Sequence, residues 1–513
     1  MHQVVTNSSA NLRSNSRTGR IDRRYVAWFS LLVLAGGLAT LYPAVWMGCL
    51  AAVAGVAICW GTFAVLVRAG LERWQVIALT ALSGYLVLNY GFDNLAIHLG
   101  GFPILIGYGM AYLALAGAVF SHREWVPDAL REPALLCALV ILVMSFCHLF
   151  TDIASYGSWA LRDATMCFDG LFLLMGLLWA RKHDSFDLLA KWLLIIFAVL
   201  MFYGFTLPWH EKLFSWSPVS GVYYETPLLG NYRGTGDWLL AGALFCICVG
   251  GYVLERPRWW MPFLSLGLIL GIAVTQVRRM YLGIVVVTVI LILSGEVKKF
   301  TKLLLMVPAA IAVVFVVTSW GGLDISGRVG KVNLAFFVDH LRSISGAEDT
   351  PGSDPMTRVV MAKQAFQHFL AHPVFGEGFG QPVVSQVDYE TGTLTRTPHN
   401  STITYLARLG AVGCAIWIAF HFCLWARFFH AFRQRRSCDK RIYAFVLWSF
   451  LFYVLFMMSS LVESPFEYPA DAIPFYFLMG FALGLIRWHL SPKSKGEQRF
   501  AALPKPVEKA YVH

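Results

Sequence analysis

The chain has 513 residues, 57% of them hydrophobic and 14% charged, with a mean hydropathy of +0.60 and a formal net charge of +11. That balance is too apolar and too poor in charge for an ordinary soluble domain, so most of the chain belongs in lipid. The positive excess gathers in a few clusters between apolar segments, the pattern of membrane topology, and no nucleic-acid partner is expected from it.

Apolar windows of roughly 17 to 25 residues, the length that crosses a bilayer core, recur from Tyr25 to His489. They predict an all-α polytopic integral membrane protein of about fourteen transmembrane helices, at 26–42, 44–67, 75–91, 102–120, 134–150, 164–180, 188–207, 236–254, 260–276, 279–294, 302–319, 402–424, 442–462 and 471–488. A tight hairpin and a kinked long helix look alike in hydropathy, so the pairs around Tyr42-Pro43 and Arg278-Arg279 admit both readings. The first window lies too far from the amino terminus, and is too closely followed by others, for a cleaved signal peptide.

Cytoplasmic loops retain lysine and arginine. With the amino terminus inside, about 28 of the 41 basic residues fall on the cytoplasmic side, including Arg13 to Arg24, Lys298-Lys299-Lys302, Arg427 to Arg441 and Lys493 to Lys509. The expected layout is a cytoplasmic basic tail at 1–25, a bundle of about eleven helices at 26–319 and a large periplasmic loop at 320–401, then three C-terminal helices at 402–488 and a cytoplasmic tail at 489–513. Nine of the ten cysteines fall in predicted helices and Cys438 in a cytoplasmic loop, so no outer disulfide is expected. Cys246 and Cys248 point to different sides of a helix, which argues against a metal site.

Two outer segments are long enough for chemistry, Pro208 to Thr235 and Trp320 to Thr397. Within the second, Ser345 to Ser353 is polar and rich in breakers. Asp354 then reads as a helix cap and Pro355 as the first helical position, with Val359, Ala362, Phe366 and Phe369 at helical spacing before the stop at His372-Pro373. This helix is too short to span and should lie against the membrane surface or the bundle. Arg358 in its first turn opposes the helix dipole, which hints at an anionic partner. In Pro373 to Gly380, three alternate glycines indicate a structural turn rather than a phosphate loop, since the lysine and serine of a P-loop are missing.

Thr397 and Pro398 read as cap and first position of the next helix, which puts His399 in its first turn, where the positive field of the helix end suits a phosphate. Arg278 and Arg279 stand in an outer turn against the usual bias, either gripping a phosphate bidentately or snorkelling to headgroups. The loop acids Asp324, Asp339, Asp349, Asp354, Asp388 and Glu390 read as solvated. Asp169, inside the sixth span, calls for a partner, with Arg162 the candidate; Glu463, at an outer helix end, reads as more structural than catalytic.

Three blocks in order carry a resemblance: Thr275-Gln276-Val277-Arg278, then Arg358 through His372-Pro373-Val374-Phe375-Gly376-Glu377-Gly378, then His399-Asn400 running through Leu406 to Gly410 and Gly413. Here the chain resembles the O-antigen ligase and Wzy-type O-antigen polymerase family, membrane glycosyltransferases that act on undecaprenyl-pyrophosphate-linked glycans at the outer leaflet. The match runs over about residues 236 to 425. Val277 stands where the family usually has serine, leaving Arg278 and Arg279 as alternatives with spacing in favour of Arg278, and Arg408 stands where an acid is frequent, which leaves the charge balance beside the histidine open.

The resemblance implies a GT-C-like fold. Arg278 and Arg358 would hold the pyrophosphate as part of the catalytic set, His399 would act as base or orient the acceptor, and Arg279, Asn400 and Arg396 would bind substrate. It implies no metal and no cofactor. The implied partners are an undecaprenyl-pyrophosphate-linked glycan donor, a glycan or lipid A-core acceptor, membrane lipids and envelope polysaccharide assembly proteins, with the active site on the periplasmic side of the bacterial inner membrane. Ligase, polymerase and protein O-oligosaccharyltransferase differ only in acceptor. A lipid-linked sugar flippase or other transporter would instead spread polar residues through broken helices in matching halves, whereas here they gather at the outer boundary.

Overall fold

The computed structural model describes residues 71–490 apart from 100–101, 183, 218, 221–225, 230–234, 254–258, 320–326, 328–330, 333–337, 339–354, 388–393 and 437. The expected spans 26–42 and 44–67, the amino-terminal tail, the carboxy-terminal tail past residue 490, most of 320–354 and the six loop acids lie outside these residues. The helices of more than seven residues are α1 (Arg73–Leu88), α2 (Ile106–Ser121), α3 (Pro133–Tyr156), α4 (Ser158–Phe168), α5 (Phe172–Ala180), α6 (Ser185–Gly204), α7 (Thr235–Cys248), α8 (Met261–Thr275), α9 (Arg278–Leu293), α10 (Val297–Ser319), α11 (Pro355–Ala371), α12 (Ser401–Arg433), α13 (Lys440–Ser460) and α14 (Pro469–Leu485).

Every expected span that falls on described residues coincides with a helix, and among those residues seven helical segments are long and apolar enough to cross a membrane. The expected helix at 102–120 starts only at Ile106. Ahead of it Ala96–Leu99 (β1) pairs antiparallel with Phe102–Leu105 (β2), Ile97 opposite Ile104. The β-branched pair suits a hairpin. The sixth span begins earlier than expected, at Ser158, and passes through a tighter turn at Asp169–Leu171 between α4 and α5.

The packing centre is α14, all of whose residues are buried. It lies against α5 through two glycines: a Cβ on Gly176 would stand 2.1 Å from the Phe477 carbonyl oxygen, and one on Gly480 would stand 2.1 Å from that of Leu173. Small residues at such a crossing let backbones approach, the usual basis of helix association in lipid. By contrast α3 exposes a row of apolar side chains, Val143, Phe146, Phe150 and Ile153.

Inside α12, Gly410 is non-helical at φ 65° and ψ −166°, which frees backbone groups in the middle of an apolar helix. The glycine loop supplies their partners. Glu377 and Gly378 donate their amides to the Ala407 and Arg408 carbonyls, both at 3.0 Å, while the amides of Ala411 and Val412 donate to Pro373 at 2.9 Å and Val374 at 3.2 Å. Unpaired backbone is costly in lipid, so loop and break specify each other. Gly376, Gly378 and Gly380 all have positive φ, of 79°, 88° and 98°. A Cβ on Gly376 would lie 2.3 Å from the Arg408 carbonyl, and one on Gly410 2.4 Å from the Val374 oxygen. The expected structural turn is thus a plug in a broken helix.

Candidate active site

Arginine enters the site where α8 stops. Gln276 closes that helix in the left-handed region at φ 52° and Val277 is extended, so α8 and α9 are two helices and not one kinked helix. Arg278 and Arg279 are the first two residues of α9. The second is saturated: Arg279 Nη2 lies 2.9 Å from Asp237 Oδ2, its Nε bonds Oδ1 at 3.3 Å, and Nη1 meets Glu463 Oε1 at 3.1 Å. Asp237 sits in the first turn of α7 and also accepts from Ser459 Oγ at 3.0 Å, in the last turn of α13. Arg279, expected at the substrate, is therefore a buried brace between α7, α9 and the segment after α13.

Glu463 is the junction of the site. Its Oε1 takes Arg279 and, at 3.8 Å, Arg358 Nη2 from the first turn of α11, while Oε2 lies 3.3 Å from His399 Nδ1. Burial pushes this carboxyl up, but the His399 contact and the Arg279, His399 and Arg358 charges outweigh it and hold Glu463 well below the usual carboxylate range. The approach to His399 is an electrostatic contact rather than an aligned hydrogen bond, and it buries Nδ1 while the side chain as a whole stays 25% exposed.

His399 is held by its neighbours. The cap of α12 is Asn400, not Thr397: the Asn400 side chain accepts from the Ile403 amide at 3.1 Å and donates to the Leu461 carbonyl at 3.0 Å. Thr397 is drawn off to Ser464, its hydroxyl 3.3 Å from that of Ser464. His399 thus stands just ahead of the helix at φ 51°, a left-handed value uncommon outside glycine. Both bonds stitch its loop to Leu461–Ser464, the segment that carries Glu463. Asn400, expected to bind substrate, spends its side chain on the cap and the stitch.

Arg278 and Arg358 differ from Arg279. Arg278 has no ion-pair partner among the described residues, and burial followed by the Arg358 guanidinium lowers its pKa. Arg358 is exposed, its only ion pair among the described residues being the 3.8 Å contact with Glu463. Three guanidinium groups meet the carboxylates of Asp237 and Glu463 here; Asp237 pairs with Arg279 and Glu463 is shared between Arg279 and Arg358, so Arg278 and Arg358 are left with less than full counter-charge.

Arg396, also expected at the substrate, belongs to a separate buried cluster. Its Nη2 lies 3.0 Å from Asp163 Oδ2 and its guanidinium rests on the Trp159 ring at 4.1 Å. Arg408 reaches the same oxygen at 2.9 Å and donates to the Gly378 carbonyl at 3.1 Å. The unexpected basic residue at 408 is thus balanced by Asp163 and ties the glycine plug to α4. Arg162 pairs with Asp163 at 3.3 Å, so the buried Asp169 is met not by Arg162 but by the Tyr108 hydroxyl at 3.4 Å. Among the described residues no group of three histidine, cysteine or acidic side chains is arranged to hold a metal ion.

Residues 263–418 match the family described as O-antigen ligase. This segment resembles an O-antigen ligase domain. That domain includes Arg278, Arg279, Arg358 and His399, whereas Asp163, Asp237 and Glu463 lie outside it. No curated protein matches the chain. The match supports a glycan-processing role at a membrane, and the family implies glycosyl transfer.

Proposed function

We propose that the protein transfers or polymerises a lipid-pyrophosphate-linked glycan at the outer face of the inner membrane, as an O-antigen ligase or an O-antigen or exopolysaccharide polymerase. The observation that carries this reading is the meeting of His399 with Glu463 beside two guanidiniums, Arg278 and Arg358, that lack full counter-charge. An acceptor hydroxyl oxygen attacks the anomeric carbon of the donor, and the bond from that carbon to the pyrophosphate oxygen breaks with its electron pair. Arg278 and Arg358 take the charge that develops on the pyrophosphate, the task a divalent ion performs in many soluble glycosyltransferases.

The acceptor proton passes to His399. With Nδ1 turned to Glu463, Nε2 is the nitrogen left to receive it. Glu463 orients the ring and stabilises the imidazolium as it forms, and Arg279, fixed by Asp237, positions Glu463.

We place both termini in the cytoplasm and the site in the periplasm. Reporters at the termini should read cytoplasm and one at Ser353 periplasm. Deleting the gene decides the acceptor: unlinked polymer marks a ligase, single repeats a polymerase, and unmodified protein a protein glycosyltransferase. Restoration of normal product by a His399→Ala copy would reject the proposed chemistry.

A further inference from the structure

The plug in α12 turns apolar side chains outward. Val374 and Phe375 are 53% and 59% exposed, and on α11 Val359, Phe366 and Leu370 form an exposed stripe at helical spacing. The other side of α11 is occupied, with Met361 and Ala365 buried against Ala407 and Val383.

Depth can be counted along two helices. His148 Nε2 hydrogen-bonds the Phe375 carbonyl at 2.9 Å, and the Val412 amide bonds Val374. Arg427 on α12 is bonded at 2.8 Å to Glu132, the residue just before α3, so both helices share one level at that end. From Pro133 to His148, and from Arg427 to Val412, is fifteen residues each. At about 1.5 Å per residue both counts put the plug about 22 Å from that level, within a hydrocarbon core about 30 Å thick. Helix tilt only reduces the depth travelled along the membrane normal.

We infer that Val374 and Phe375, with the Val359–Phe366–Leu370 stripe, are embedded among the acyl chains of the leaflet on the site's side, making α11 a half-submerged helix. The occupant is lipid because the surface continues the exposed apolar row of α3: His148, which holds the Phe375 carbonyl, lies between Phe146 and Phe150, themselves 48% and 85% exposed. Irregular backbone at this depth is viable because the α12 break satisfies it. The seating also fixes the height of Arg358 near the headgroups. Its use for a lipid-linked phosphate rests on the proposed function, whereas the embedding does not.

The test is photocrosslinking without any activity readout. Benzoylphenylalanine replaces Phe375 or Phe366 in the full chain, reconstituted in phosphatidylethanolamine–phosphatidylglycerol vesicles, with Phe150 as the lipid-facing reference. Irradiation should give adducts of one phospholipid mass at Phe375 and Phe366, in yields within about threefold of Phe150. Crosslinks to residues 1–70, crosslinks to a second copy, or lipid adducts at Phe150 alone would overturn the inference.

Discussion

Glu463 Oε2 lies 3.3 Å from His399 Nδ1 while its Oε1 lies 3.1 Å from Arg279 Nη1, so one carboxylate joins the proposed base to the buried arginine brace. Glu463→Gln keeps the shape but removes the charge that steadies an imidazolium. Turnover should fall roughly tenfold to a hundredfold with donor affinity little changed, and Glu463→Asp should recover part of the rate. Initial rates in proteoliposomes check this; unchanged turnover in the glutamine variant would leave Glu463 a structural residue.

The two adjacent arginines should fail in different ways. Arg279→Ala strands Asp237 in a buried setting, and breaking such a pair costs about 3 kcal/mol, so thermal stability in detergent should drop together with activity. Arg278→Ala breaks no ion pair among the described residues and should keep the wild-type melting temperature while losing transfer. Arg278→Lys should rescue poorly, because a point charge does not reproduce a guanidinium fork. A stable, active Arg279→Ala protein would contradict the assignment of the brace.

An imidazolium has no lone pair to receive a proton, so a base role for His399 predicts a rate that falls toward the mildly acidic side of the pH profile. Glu463 does not cause that limb. A carboxyl depressed in the folded state contributes stability that is complete above the unfolded carboxylate range and is lost only as pH falls through its lower folded value, so Glu463 stays ionised throughout this window. The acid limb should be absent from the residual rate of His399→Ala. Rate against pH for both proteins is the check, and an unaltered limb in the variant would assign it to another group.

Much of the architecture was legible in the sequence because bilayer thickness sets helix length: each expected span that can be compared meets a helix. The plug was not legible. Its glycines mark a turn, but only the structure reveals that their amides fill a break at Gly410, far along the chain. Of the candidate residues, Arg278 and Arg358 stood out through charge in the wrong place, and His399 through its position at a helix start. Asp237 was not singled out and Glu463 was read as more structural than catalytic, since the contacts of an acid at the end of an apolar segment show only when its partners, 42 and 64 residues away, are known. An intramembrane-end acid such as Asp237 was nevertheless a signal that could have been weighed. Arg396, which the resemblance implies would bind substrate, is engaged instead by Asp163 and the Gly380 carbonyl, contacts that its place in the sequence does not reveal.

Gly378 tests the plug itself. A Cβ there would stand 2.3 Å from Asp152 Oδ2 at a φ of 88°, so Gly378→Ala should cost roughly 2 kcal/mol or more and lower the melting temperature. Gly109→Ala, where a Cβ meets nothing within 4 Å, serves as the neutral comparison. Equal stability of the two variants, measured by thermal unfolding in detergent, would mean that the plug relaxes freely.

The central claim is that His399 accepts the proton of the attacking hydroxyl while Arg278 and Arg358 hold the departing pyrophosphate. Single-turnover transfer from a lipid-pyrophosphate-linked glycan, measured in reconstituted vesicles alongside donor binding, tests it most directly. For His399→Ala the account predicts a rate reduced roughly a hundredfold or more with donor binding within about threefold of wild type. A variant that turns over at near the wild-type rate would contradict it.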